Sequence, residues 1–196
     1  MKHAIIVANP RETSFSLSIA RAYAEAAKAL GGEVVLRDLY RMEFDPVLKA
    51  HELADTPDFH LGADVAAERA LIADVDVFAF IYPFWFNVPP AMLKGYLDRV
   101  LGFGFGFAPG ATGNEPRLAG RRMITFSSSG APSHWVESTG ALGAVKALFD
   151  NHVAQVTGLT ILDHVHFGGV TTDITPAAVE RNLNKVRAAL GDFFGS

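Results

Sequence analysis

Five short, largely apolar runs constrain the fold of this chain more than any other feature. They occupy residues 3–8, 33–38, 76–82, 123–127 and 160–167. Each is rich in Val, Ile or Phe, and most lack the strict polar alternation of a strand with one face in water. Strands read this way when helices cover both faces of a parallel sheet. The stretches between them have helical character: 16–30, 63–72, 90–101, 141–157 and 176–194. Gly31-Gly32 stops the first helix, and Thr175-Pro176 opens the last with a capping hydroxyl and a proline at the first helical position. This alternation predicts an α/β three-layer sandwich with right-handed crossovers. No linker or shift in composition divides residues 1–196, which read as one domain. Residues 39–62 read as a polar excursion over the surface. Residues 102–116, with Phe103, Phe105 and Phe107 set between glycines, read as a loop rather than a strand.

Composition narrows the function. Only 19% of residues are charged, a low share that points to surface covered by a ligand or partner. The net charge is −4 with no Lys/Arg cluster, which argues against nucleic acid. The chain has no cysteine, so disulfides, thiolate catalysis and Cys-based metal sites are excluded. No apolar stretch reaches the roughly 18 residues of a membrane span. The first seven residues lack the layout of a signal peptide. These features lead us to expect a soluble, cytoplasmic protein.

In open α/β sheets ligands bind at the carboxyl ends of the strands, where strand order reverses. Three loops leave those ends, and all three are unusual. Loop one, residues 9–18, places Thr13, Ser14 and Ser16 where the first helix begins. Free N–H groups and hydroxyls there suit a phosphate, although plain N-capping by Ser14 or Ser16 explains the same residues. It is neither a Walker A loop nor a G-x-G-x-x-G fingerprint. Loop two, residues 83–90, is almost wholly aromatic and proline, with Trp85, Phe86 and Asn87 at its centre. Loops are ordinarily polar, so this one reads as a wall for a flat ring or a patch buried by another subunit. Loop three, residues 127–135, is small and polar: Ser127, Ser128, Ser129 and Gly130 let backbone approach a ligand closely. A Ser/His nucleophile is disfavoured, because the G-x-S-x-G elbow is missing and no acid is placed in sequence to orient His134.

Together these segments resemble the NAD(P)H:quinone oxidoreductase family, the DT-diaphorase-like branch of the flavodoxin-like flavoproteins. The matching pieces are Thr13-Ser-Phe-Ser16, Asp38-Leu-Tyr40 followed by Phe44-Asp-Pro46, and residues 83–100 with their Pro-Ala-x-Leu-Lys-Gly core. The resemblance implies a flavodoxin-like sandwich with a five-stranded parallel sheet in the order 2-1-3-4-5. It also implies a non-covalent flavin, FMN or alternatively FAD, with NAD(P)H as co-substrate. Asn9, Thr13, Ser14, Phe15 and Ser16 would surround its phosphate. Pro83, Phe84, Trp85, Phe86 and Asn87 would line its ring system. Ser127, Ser128, Ser129, Gly130 and Trp135 would close the other side. Phe105, Phe107 and Trp135 would meet the nicotinamide or acceptor, in a homodimer with the active site at the interface. The implied reaction passes hydride from NAD(P)H through the flavin to a quinone, azo or nitroaromatic acceptor by a ping-pong, two-electron route. The alternative is a flavin-binding ancillary subunit of a potassium efflux system; an electron-carrier flavodoxin fits the aromatic loops less well.

The chain departs from the family pattern at three points. Asn9 stands where relatives carry His, Trp135 where they carry Tyr, and Ala141 where they carry a second His. The Tyr/His pair is the family's charge-stabilising group, so its proton path is open here, with His134 the candidate donor. His164 and His166 share one side of the fifth strand and make half a metal site at most, so no metal is expected. Lys94, Asp98 and Arg99 read as solvent-facing or interface ion pairs.

Overall fold

The computed structural model describes residues 1–111 and 113–195. Five parallel strands form one sheet in the order β2-β1-β3-β6-β7. They are β1 (Lys2–Val7), β2 (Glu33–Asp38), β3 (Val77–Pro83), β6 (Arg122–Ser128) and β7 (Thr160–Phe167). In chain order these are the five expected strands, in the expected 2-1-3-4-5 arrangement. The three central strands are buried along nearly their whole length, whereas the edge strands β2 and β7 keep exposed positions. This difference explains why the central runs read as unbroken apolar stretches.

Helices α1 (Phe15–Ala29) and α7 (Pro176–Phe194) cover one face, closing a core of Ile5, Val7, Ile19, Tyr23, Phe126 and Leu190. Helices α2 (Ala63–Leu71) and α3 (Ala91–Arg99) pack on the other with α4 (Ser133–Ser138), α5 (Ala141–Val145) and α6 (His152–Thr157), around Phe78, Phe80, Tyr82, Leu93, Tyr96 and Phe149. The caps lie where the sequence puts them. Ser14 accepts the Leu17 N–H at 3.2 Å, and Thr175 accepts the Ala178 N–H at 3.3 Å. Gly31 follows α1 at φ +78°, a left-handed geometry that favours glycine.

Four details differ from the sequence reading. Residues 102–116 are not only loop: β4 (Phe107–Gly110) and β5 (Gly113–Pro116) pair as a short antiparallel hairpin. The helical stretch 141–157 is interrupted by a π turn, Lys146–Asn151, between α5 and α6. Loop three ends early, because α4 takes residues from Ser133 onward. Arg99 does not face solvent. It donates to both carboxylate oxygens of buried Glu52 at 2.7 and 2.8 Å, to Asp64 at 2.7 Å and to the Asp45 carbonyl at 2.6 Å. Lys94 and Asp98 do form an exposed pair one helical turn apart. The Arg99 cluster ties the 39–62 excursion to α3, where a Cβ on Gly95 would come within 2.2 Å of the Pro46 carbonyl oxygen. The glycine of the Leu-Lys-Gly motif is therefore a contact point for the excursion.

Candidate functional site

Strand order reverses between β1 and β3, so loops one, two and three leave three neighbouring strands, β1, β3 and β6, at one sheet edge. Backbone hydrogen bonds join them. Ala8 N–H donates to the Ile81 carbonyl at 3.0 Å, and Phe84 N–H donates to the Ser128 carbonyl at 2.7 Å.

Loop one delivers the chain into α1. The first-turn N–H groups of a helix have no partner within the helix. Ser14 takes that of Leu17, which leaves those of Phe15 and Ser16 directed out of the helix end. Thr13 is exposed, Ser14 and Phe15 are half-buried, and Ser16 is buried. Asn9 donates from Nδ2 to Ser16 Oγ at 3.2 Å and accepts the Arg11 N–H at 3.0 Å, so it braces the loop from within. Arg41 reaches over from beyond β2 and donates to the carbonyls of Asn9, Pro10 and Arg11 at 2.8–2.9 Å. These bonds hold the carbonyls on the guanidinium. Sequence reasoning did not single out Arg41, because the pairing depends on where the excursion folds.

Loop two is a tight turn. Trp85 and Val88 exchange N–H···O bonds of 3.2 and 3.1 Å across Phe86 and Asn87, whose φ angles are +52° and +57°. Both central residues are therefore left-handed, as in a type I′ turn. Asn tolerates this conformation; for an aromatic residue it costs about 1–2 kcal/mol. Phe86 nonetheless sits there fully exposed, and Trp85 is 42% exposed beside it. Packing does not account for a strained, solvated aromatic at a sheet switch point. Pro83 is half-buried. Phe84 points the other way, into the core, with its ring 4.7 Å from that of His166.

In loop three the four candidates divide. Gly130 is exposed, while Ser128 and Ser129 are nearly buried. Ser127 is wholly buried and its hydroxyl is engaged by two histidines: His164 Nε2 lies 2.6 Å away and His166 Nδ1 2.8 Å away. His134 and Trp135 stand on the first turn of α4, both exposed. Phe105 packs with Arg69, whose guanidinium lies over its ring at 5.8 Å. Phe107 lines a cavity of about 420 Å³ with Leu97, Leu101, Phe103, Leu148 and His152. A second cavity of about 300 Å³ shares Lys94, Leu148 and Phe149 with the first and reaches Asn87 and Val88. An apolar groove therefore runs from loop two along α3 to the hairpin, away from loop one.

His164 and His166 are turned onto hydroxyls and a carboxylate. His164 Nδ1 is 2.5 Å from Asp150 Oδ2, Thr125 Oγ1 donates to Asp150 Oδ1 at 2.7 Å, and His166 Nε2 is 3.0 Å from Ser129 Oγ. Burial, the neighbouring His164 and Lys146 lower the His166 pKa to about 4, so this imidazole is neutral near pH 7. Sequence reasoning noticed the two histidines but missed Asp150, which the π turn aims inward.

A family model described as a flavodoxin-like fold matches residues 1–190. An uncharacterized NAD(P)H oxidoreductase of Haemophilus influenzae is 30% identical over 87% of this chain and 85% of its own length. The NAD(P)H dehydrogenase (quinone) 1 of Rattus norvegicus is 26% identical over 81% of this chain, which spans 65% of that enzyme. Among solved structures, an NAD(P)H:quinone oxidoreductase from Methanothermobacter marburgensis superposes with a TM-score of 0.83 at 27% identity, covering 96% of this chain and 94% of that one. The general stress protein 14 of Treponema denticola, solved with FMN, superposes with a TM-score of 0.67 at 25% identity, covering 98% of this chain and 99% of its own.

Proposed function

Because this chain belongs to the flavodoxin-like family, with NAD(P)H:quinone oxidoreductases among its relatives, we propose that it is a flavin-dependent NAD(P)H oxidoreductase acting on a quinone or similar aromatic acceptor. The observation that carries this reading is the Trp85–Phe86–Asn87 turn. It holds two aromatic side chains in solvent, at a backbone cost, beside the open N-terminus of α1.

The residues fit a flavin. FMN is favoured over FAD, since the relative solved with FMN matches almost the whole chain and the helix terminus provides for one phosphate. The N–H groups of Phe15 and Ser16, with the Thr13 hydroxyl, would take that phosphate, and Ser14 would keep its capping role. Asn9 would act through Ser16, bracing the loop. Trp85, Phe86 and Asn87, following Pro83, would flank the ring system. Ser128, Ser129 and Gly130 would present backbone to its polar edge, and Phe84 and Ser127 would support that wall from inside.

The flavin, when bound, supplies the hydride chemistry, accepting two electrons from NAD(P)H and passing them to the acceptor. The protein stacks the two rings in turn at one face and excludes water. That sequential use of one face is the physical basis of a ping-pong route. Trp135, exposed on α4, would meet the second ring. The apolar groove carries Leu148 at 77% exposure, and a second copy seated on it would bring its own Phe105 and Phe107 loop to the site. His134, exposed on α4, would be placed to exchange protons with the incoming ring. Among the described residues no helix is long and apolar enough to cross a membrane, in keeping with activity in the cytoplasm.

The test is to release the cofactor from purified protein, identify it, and follow NAD(P)H oxidation with a panel of quinones. FMN and quinone-dependent turnover are expected. Protein that retains no flavin after reconstitution with FMN or FAD refutes the reading. Flavin binding without turnover moves it to the ancillary-subunit alternative.

A further inference from the structure

The buried chain Asp150–His164–Ser127–His166–Ser129 has a directional logic of its own. Ser129 Oγ donates to the Ala131 carbonyl at 2.8 Å, so it accepts from His166 Nε2–H at 3.0 Å. His166 then has a free lone pair at Nδ1 and accepts the Ser127 hydroxyl at 2.8 Å. Ser127 in turn accepts from His164 Nε2–H at 2.6 Å. With Nε2 already protonated, the 2.5 Å contact between His164 Nδ1 and Asp150 requires one more proton between them. That contact is therefore assigned as an imidazolium–carboxylate pair, at about 5% and 2% exposure.

The surroundings are built to hold this pair. Thr125 supplies a second hydrogen bond to Asp150. A π turn, a helix form frequent at functional sites, carries the carboxylate inward. Tyr82 packs edge-on against His164 and keeps its phenol protonated through burial and the Asp150 charge. Its hydroxyl is buried with no partner among the described residues. Lys146 lies on the His166 side, and Asp163 accepts the His164 backbone N–H at 2.7 Å from the edge of β7. An ionic pair inside an apolar cluster is costly compared with apolar side chains of the same volume. Ser127 is wholly buried, so a nucleophilic Ser–His–Asp triad, which the arrangement resembles in connectivity, is ruled out here.

We infer that these five residues form a proton relay, which stores one proton at the Asp150–His164 pair and delivers it through Ser129 to the acceptor site. The role presupposes the flavin reading of the site. Reducing a quinone to a hydroquinone takes two electrons and two protons; a hydride brings both electrons and one proton, and the relay brings the other. Ser129 gives its hydroxyl proton to the acceptor oxygen and takes the proton of His166 Nε2. His166 takes the Ser127 proton at Nδ1, and Ser127 takes the proton of His164 Nε2. His164 is left neutral, with Nδ1–H on the Asp150 carboxylate. One proton has left, the charge on the five groups has fallen by one, and only O–H and N–H bonds have changed. A proton taken up at Ser129 reverses every step. The relay would stand in for the family's Tyr/His pair, absent at Trp135 and Ala141. Its inner members, Asp150, His164 and Ser127, are positioning residues that act through Ser129.

The decisive variant is Asp150→Asn, remote from the flavin-contacting loops. The amide donates to His164 Nδ1, which fixes a neutral imidazole protonated at Nε2 alone, without the second, stored proton. Nitrogen-15 imidazole NMR of the flavin-free protein reads this directly: His164 should carry two N–H protons in the wild type and one in the variant. In stopped-flow measurements of the flavin-loaded protein, reduction by NAD(P)H should stay within about twofold. Transfer to a quinone at about pH 8 should fall about tenfold or more and recover toward pH 6, where solvent supplies the proton. Ser127→Ala tests the same break where Asp150→Asn does not fold: His164 keeps both protons, yet quinone transfer falls alike. A singly protonated His164 in the wild type, or quinone transfer unchanged in a folded variant, overturns the relay. Failure of the wild type to bind flavin or oxidise NAD(P)H refutes the function proposed for the site instead, and the NMR result still decides whether the proton store exists.

Discussion

Replacing Arg99 by Met should destabilise the protein strongly and in a pH-dependent way. The guanidinium is 3% exposed and makes five hydrogen bonds, four of them to the carboxylates of Glu52 and Asp64. The two carboxylates differ in what they lose. Asp64, with 49% of its side chain exposed, can turn to water. Glu52 has 2% of its side chain exposed and is left holding a charge on the Lys49 and Gly62 N–H groups alone. Stranding one partner of a buried pair costs about 3–5 kcal/mol, which for a chain of this length lowers Tm by about 6–20 °C. Arg99 hydrogen bonding holds the Glu52 pKa at about 2, against 4.5 when unperturbed. In the wild type the Glu52 contribution is therefore present above pH 4.5 and lost as pH falls toward 2. In Arg99→Met the lone carboxyl titrates above its usual range, so protonation relieves the variant as pH falls. The stability gap between the two proteins should be widest at pH 7 and narrow toward pH 4. Adding Glu52→Gln should recover part of the loss at pH 7. Urea unfolding at pH 7 and pH 4 makes the measurement. A gap below about 1 kcal/mol at pH 7 refutes the assignment of Arg99 as the clamp of the 39–62 excursion, and a gap independent of pH refutes the stranded-charge account.

Three further outcomes follow from the geometry. Gly95→Ala drives a Cβ into the Pro46 backbone and should cost about 1–3 kcal/mol in chemical denaturation, with the loss focused on the excursion in hydrogen exchange. Phe86→Gly should leave the fold as stable or gain up to about 1 kcal/mol by relieving the left-handed turn, while flavin affinity or acceptor KM worsens; a clear loss of stability would show that Phe86 is not strained. Ser14→Ala removes the α1 cap and should cost about 1 kcal/mol, seen as a lowered Tm, together with weaker FMN binding in titration.

Much of the architecture is legible in the sequence because β1, β3 and β6 sit between two helical layers, so each must be apolar on both faces. Their ends mark loops one to three, and the odd composition of those loops is plain in the sequence. The remainder depended on contacts between distant segments. Arg99 shares a helix with Lys94 and Asp98, and its burial follows only from where Glu52 and Asp64 fold. Asp150 faces inward because of an extra residue in one helical turn, which leaves no mark on hydrophobic periodicity. Ser127 looked like its neighbours Ser128 and Ser129, and the pleat alone turns its hydroxyl toward β7. The hairpin strands β4 and β5 are short and rich in Gly and Pro, and β5 is exposed along its length, so nothing in their pattern alternates.

The Trp85–Val88 turn closes on itself through its own pair of backbone hydrogen bonds. Its two tip residues bear no load for β3 or α3, so they form an exchangeable cassette on a fixed frame. Under the proposed function, substitutions there would retune which ring the protein accepts while leaving the frame intact. Selection for a new acceptor would then act on Phe86 and Asn87 with little penalty in folding.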